Sequence, residues 1–136
     1  MYDLILCVDD DPITLMLCKM VILKSSFSKE IITAQNGEEA VDYFNNLKLN
    51  NLDVPIKNYP KLVFLDLNMP IMDGWDFLDH FSTEEYTAYF KDTKVIVLSS
   101  TIDPEDINKS KTYPMVIDFI SKPITKEVLE NLKALT

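Results

Sequence analysis

The apolar and polar positions divide the chain into alternating short strands and longer helices. Leu4-Ile5-Leu6-Cys7-Val8, Val63-Phe64-Leu65, Val95-Ile96-Val97-Leu98 and Val116-Ile117-Asp118-Phe119-Ile120 are compact apolar runs, each stopped by polar or turn-forming residues. Such runs predict strands buried on both faces, and a shorter one is expected over 30–34. Asp11-Pro12 has the residue types of a helix N-cap and first turn, so a helix is expected from there to about Lys24. After Gln35-Asn36-Gly37 turns the chain, Ala40, Val41, Phe44 and Leu47 keep i, i+3, i+4, i+7 spacing and predict a helix over 38–49. Residues 50–59, with Pro55, read as a loop. A third helix begins near Gly74 and carries Phe77, Leu78 and Phe81. Ser82 and Glu85 have the spacing of a capping box, which predicts a break there and a fresh helical segment to about Phe90. Asp103-Pro104 repeats the first cap signal, and the last helix is expected over 125–135.

Five strands alternating with helices predict an α/β fold: a doubly wound, five-stranded parallel sheet with helices on both faces. Right-handed crossovers leave few arrangements, and the flavodoxin-like strand order 2-1-3-4-5 is expected. Parallel strands bring their carboxyl ends to one edge, where this chain places Asp9-Asp10, Asp66, Ser99 and Lys122. Burying a carboxylate there costs several kcal/mol unless a cation or hydrogen-bond donors meet it. Asp66, between an apolar run and the breaks at Pro70 and Gly74, is the most pointed of these positions.

Composition narrows the chemistry. A chain of 136 residues is expected to be one domain, 1–136, with a core that needs no disulfide. Its 22 acidic and 13 basic residues give a net charge of -9, unsuited to direct nucleic-acid binding and suited to a divalent cation. No apolar run approaches the roughly 18 residues of a membrane span. Met1-Tyr2-Asp3 has no cationic signal region, so a cytoplasmic protein without membrane contact is expected. Cys7 and Cys18 lack metal or redox spacing and read as buried packing residues. The one histidine, His80, lies near Asp76 and Asp79 on a polar stretch and reads as solvated surface. Gly37 and Gly74 are the only glycines, which excludes GxGxxG and Walker loops, so any bound phosphate must be held another way.

The segments Val8-Asp9-Asp10-Asp11-Pro12, Asn36-Gly37-Glu38-Glu39-Ala40, Leu65-Asp66-Leu67-Asn68-Met69-Pro70-Ile71-Met72-Asp73-Gly74 and Ser121-Lys122-Pro123 occur in order over nearly the whole chain. With these four segments the chain strongly resembles the receiver (phosphoacceptor) domains of two-component response regulators, particularly the single-domain chemotaxis type. The resemblance implies that Asp66 is the phosphoacceptor. Asp9 and Asp10 would hold Mg²⁺ together with Asp66 and the backbone carbonyl of Asn68, with Asp10 a direct ligand and Asp9 acting through water. Lys122 and Ser99 would each meet a phosphoryl oxygen, and the Lys122-Pro123 peptide is often cis in such domains. Ser99 and Phe119 would form the switch pair, Phe119 lying three residues before the lysine.

The implied function is that of a phosphoacceptor switch. It would take phosphate from a sensor histidine kinase or phosphotransfer protein, with Mg²⁺-dependent self-phosphorylation and autodephosphorylation, and alter contacts with a downstream protein. Phosphoryl transfer needs a nucleophile and compensation for charge on the equatorial oxygens, and these residue types supply both. A haloacid-dehalogenase-type phosphatase also uses a strand-end Asp with Mg²⁺, but it wants a second Asp where this chain has Asn68. An inactive receiver would have lost a site residue, and all are present. Departures from the family are Ser99 where Thr is commoner, and longer stretches over 48–59 and 82–93. On the first helix the resemblance sets Leu17, Cys18, Val21 and Ile22 against the sheet. Ile13, Met16 and Met20 then remain exposed as a docking patch for the phosphodonor.

Overall fold

The computed structural model describes residues 2–50, 56 and 58–135. In chain order the elements are β1 (Tyr2–Val8), α1 (Pro12–Lys24), β2 (Ser28–Ala34), α2 (Gly37–Asn50), β3 (Leu62–Asp66) and α3 (Gly74–Phe81). They continue with α4 (Glu84–Tyr89), β4 (Lys94–Ser99), α5 (Pro104–Ser110), β5 (Val116–Ser121) and α6 (Lys126–Leu135). The strands form one parallel sheet in the order β2-β1-β3-β4-β5, the arrangement expected from the sequence among the few that right-handed crossovers allow. Most of the expected loop over 50–59 lies outside the described residues, and Asn50 itself closes α2.

Side chains alternate across the sheet and build two cores. Ile5, Cys7, Phe64 and Ile96 face α1 and α6, packing with Leu15, Cys18, Ile22 and Leu129. Leu6, Val8, Val63 and Leu65 face the other way, against Phe44, Phe77, Phe81 and Phe90. All five residues of β3 are buried, because helices cover both of its faces; this is why it reads as a continuous apolar run. Phe44 meets Phe81 and Phe90 edge-on at 4.9 and 4.8 Å between centroids, which ties α2, α3 and the end of α4 together.

Carboxylates cap the helices that rise from the functional edge. Asp11 accepts from the Ile13 N–H, Asp73 from Asp76 and Asp103 from Glu105. The helix break after Phe81 is present, but not through a capping box. The Ser82 hydroxyl instead donates to the carbonyl of Leu78, Glu85 pairs with Lys48, and Thr83 occupies the cap position without capping the helix, its hydroxyl donating back to the carbonyl of His80. His80 also differs from expectation: its ring is half-buried, edge-on to Tyr86 at 5.0 Å.

Only part of the expected burial on α1 is realised. Leu15, Cys18 and Ile22, three and four positions apart, face the sheet, whereas Leu17 is 47% exposed and Val21 only half-buried. Leu17 is two positions from Leu15, about 200° around the helix, so both cannot face the core.

Candidate functional site

The carboxyl ends of β1, β3, β4 and β5 converge as the strand order dictates. Carboxylate oxygens of Asp9, Asp10 and Asp66 all lie within 4.8 Å of one another. Asp9 and Asp66 are buried and Asp10 is exposed. Opposite them, the Lys122 ammonium reaches 2.6 Å from Asp9 Oδ2 and 3.3 Å from Asp66 Oδ1. The Lys122-Pro123 peptide is cis, and the Lys122 N–H donates to the carbonyl of Ser99 at 2.8 Å.

Three carboxylates facing one ammonium leave a net deficit of two positive charges. Burial, and next the neighbouring Asp9 charge, push the Asp66 carboxyl above its ordinary range, against the pull of Lys122 and of the Asn68 N–H that it accepts. Burial draws the Lys122 ammonium down, but its hydrogen bond to Asp9 and the charges of Asp66 and Asp9 outweigh this, and the net shift is upward. A divalent cation with hard-oxygen preference matches both the donor set and the missing charge.

Ser99 ends β4 almost fully buried, its Oγ accepting from the Thr101 N–H at 3.3 Å. Phe119 is half-buried on β5, opposite Val97 in register, while Ser99 is opposite Ser121. Alternation therefore puts Phe119 and Ser99 on the same face of the sheet. The carboxylate of Asp9 is held from a second side by the Asp11 N–H at 2.9 Å. Asn68 is exposed on the loop after β3.

Both glycines support this loop, a role that their turn-forming character does not reveal in the sequence. A Cβ on Gly74 would lie 2.5 Å from the Asp66 carbonyl oxygen and 2.9 Å from Leu67 Cα. Gly37 donates its N–H to the Met72 carbonyl at 2.8 Å, and a Cβ there would lie 2.8 Å from both that oxygen and Met72 Cγ. Between them Ile71 adopts φ 70°, a left-handed conformation costly for a β-branched residue, and its side chain is 76% exposed. Nothing in the residue type predicts that conformation.

The surroundings are apolar on the α1 side. Ile13, Met16, Leu17, Met20 and Leu23 are all exposed, forming a stripe opposite the buried one. Leu17 also borders a cleft of about 230 Å³ that includes Thr14, Cys18, Lys122 and Pro123. Burial raises both thiols, that of Cys18 to about 11, so neither is reactive near neutral pH. No helix among the described residues is long and apolar enough to cross a membrane.

Comparison with known proteins agrees with this arrangement. The family described as response regulator receiver domain matches residues 5–133. The two-component response regulator ARR2 of Arabidopsis thaliana is 28% identical over 128 residues, which cover 94% of this chain and 17% of that protein. A protein-glutamate methylesterase/protein-glutamine glutaminase of Methanococcoides burtonii is 34% identical over 106 residues, covering 75% of this chain and 25% of its own length. The chain thus spans a quarter or less of these two relatives. Among solved structures, a two-component response regulator from Cytophaga hutchinsonii has a TM-score of 0.84 at 30% identity, with 98% of this chain and 96% of that one covered. Borrelia burgdorferi CheY, solved in a complex with CheX, BeF3 and Mg, has a TM-score of 0.73 at 27% identity, covering 98% of this chain and 88% of that one. The order of strands, the acidic cluster at the carboxyl edge and the match over nearly its whole length show that this chain belongs to the response regulator receiver domain family.

Proposed function

We propose that Asp66 is the phosphoacceptor of a Mg²⁺-dependent switch, with Asp9, Asp10, Asp66 and the carbonyl of Asn68 as the metal ligands. The observation that carries this reading is the meeting of three carboxylates within 4.8 Å with Lys122 at their edge. Asp66 attacks phosphorus, the bond from phosphorus to the donor imidazole breaks, and the phosphoryl group remains on an Asp66 oxygen as an acyl phosphate. The bound cation supplies charge compensation for the phosphoryl oxygens. Lys122 leaves its contact with Asp66 Oδ1 to meet one of those oxygens, and the Ser99 hydroxyl meets another. Hydrolysis of the acyl phosphate at the same site resets the switch.

Phosphorylation draws Ser99 toward the phosphoryl group, and Phe119, on the same face of the sheet, follows into the space vacated. An unchanged Phe119 position with and without beryllofluoride would remove it from the switch. The phosphodonor is a sensor histidine kinase or phosphotransfer protein that docks on Ile13, Met16 and Met20, and the output is an altered contact with a downstream protein. Residues 1–136 act as a single receiver domain in the cytoplasm, without direct nucleic-acid or membrane binding.

The test is labelling by acetyl phosphate with Mg²⁺. One acid-labile phosphoryl group per chain is expected, and none on Asp66→Asn. Undiminished labelling of that variant would place the acceptor elsewhere.

A further inference from the structure

The break at Ser82 and Thr83 has a second structural effect, at the end of the sheet where the strands begin, away from the carboxylates. Between α3, α4 and the turn into β5 lies a cavity of about 630 Å³. Phe81, Ala88, Phe90, Pro114 and Met115 provide apolar walls. Its hydroxyls are already committed as donors: Ser82 to the carbonyl of Leu78, Thr87 to that of Thr83 and Thr93 to that of Pro60. Lys91 and Lys94 also line it, both exposed. Neither ammonium has an ion-pair partner among the described residues, although acidic residues outnumber basic ones 22 to 13 in the chain. The one acidic residue of the lining, Glu84, is at the opposite end of α4 from Lys91.

We propose that this cavity binds a small amphipathic anion, with its apolar body against Ala88, Pro114 and Met115 and its anionic head between Lys91 and Lys94. The volume falls within the roughly 300–1,000 Å³ of ordinary ligand sites, which are mostly apolar with a few polar groups that orient the ligand. Two unpaired ammonium groups at an apolar wall select a carboxylate or sulfate on a hydrocarbon body. A neutral polar ligand would find no free hydroxyl donor there. The site is distinct from the phosphoacceptor edge, and residues 81–94 together with Pro114 and Met115 build it.

The experiment is a titration of the full chain with decanoate below its micelle concentration, followed by backbone amide NMR, with 1-decanol as the neutral control of equal chain length. Saturable shifts at Ala88, Lys94 and Met115 are expected, with decanol binding about tenfold more weakly or not at all. Lys91→Glu/Lys94→Glu should weaken decanoate by a similar factor, and Ala88→Trp, at an exposed position, should block it by filling the cavity. No saturable binding, equal affinity for decanol, unchanged affinity in either variant, or shifts centred on Ile13, Met16 and Met20 instead would each overturn the proposal.

Discussion

The ammonium of Lys122 lies 2.6 Å from Oδ2 of Asp9, in direct contact with a carboxylate that is almost wholly buried. The other oxygen of Asp9 accepts the Asp11 N–H, so both are occupied. Asp10, next in sequence, is exposed and has no such partner among the described residues. Two adjacent acids are thereby held differently: one is anchored to the lysine, and the other faces solvent.

Asp10→Ala should therefore abolish Mg²⁺ binding, with a loss larger than the roughly 10–100-fold typical of substitutions outside the ligand set. Asp11→Ala, which removes a helix cap and leaves the Asp11 N–H in place, should keep the wild-type affinity. Calorimetric titration of both variants checks the contrast, and equal Mg²⁺ affinity in wild type and Asp10→Ala would refute the assignment.

Lys122→Ala leaves Asp9 and Asp66 facing each other without compensation. Removing one partner of a fully buried pair costs about 3–5 kcal/mol, and about 1–3 kcal/mol is expected here because Lys122 retains some solvent. The folded-state value of Lys122 is raised above the ordinary 10.5, so its contribution is complete below 10.5 and is lost as pH rises through the raised value. Wild type should lose more stability than Lys122→Ala in that alkaline window, because the buried thiols and tyrosines, raised by burial, destabilise both proteins alike there. The Asp66 carboxyl is raised instead, so protonation favours the folded state, and the deficit of Lys122→Ala should shrink as pH falls toward the carboxylate range. Denaturation curves at neutral, acidic and alkaline pH measure all three.

Gly74→Ala forces a methyl group onto backbone atoms of the strand end that carries Asp66. Neither the carbonyl of Asp66 nor Cα of Leu67 can yield without moving the strand end, so a loss of about 1–3 kcal/mol is expected. Acetyl phosphate labelling should slow as well, because the carboxylate moves with its backbone. Wild-type stability in urea would show that the loop has room that its geometry denies.

Met16→Asp places a charge in the exposed stripe of α1, away from the sheet. Transfer from the cognate kinase should slow while labelling by acetyl phosphate is unchanged. Equal loss in both assays would mean damage to the fold and not to docking.

The sequence by itself determined the order of elements and the cluster at the carboxyl edge. Strand identity follows from apolar runs, the starts of the first and fifth helices from Asp11 and Asp103 at their caps, and convergence of Asp9, Asp10, Asp66, Ser99 and Lys122 from the parallel order of strands. These are local patterns or consequences of chirality, which a one-dimensional reading carries. Tertiary structure decided the rest. α1 is apolar on two opposite faces, so periodicity could not choose between them, and docking on the sheet buried Leu15 and left Leu17 at the cleft beside Lys122. The Ser82–Glu85 capping box yielded because Glu85 found Lys48, from a helix 37 residues away in sequence. The need for Gly37 and Gly74 arises only where the β3–α3 loop meets other backbone. Each of these outcomes depends on which distant surfaces come into contact, and that is fixed when the helices pack on the sheet, since no local preference of the chain encodes it.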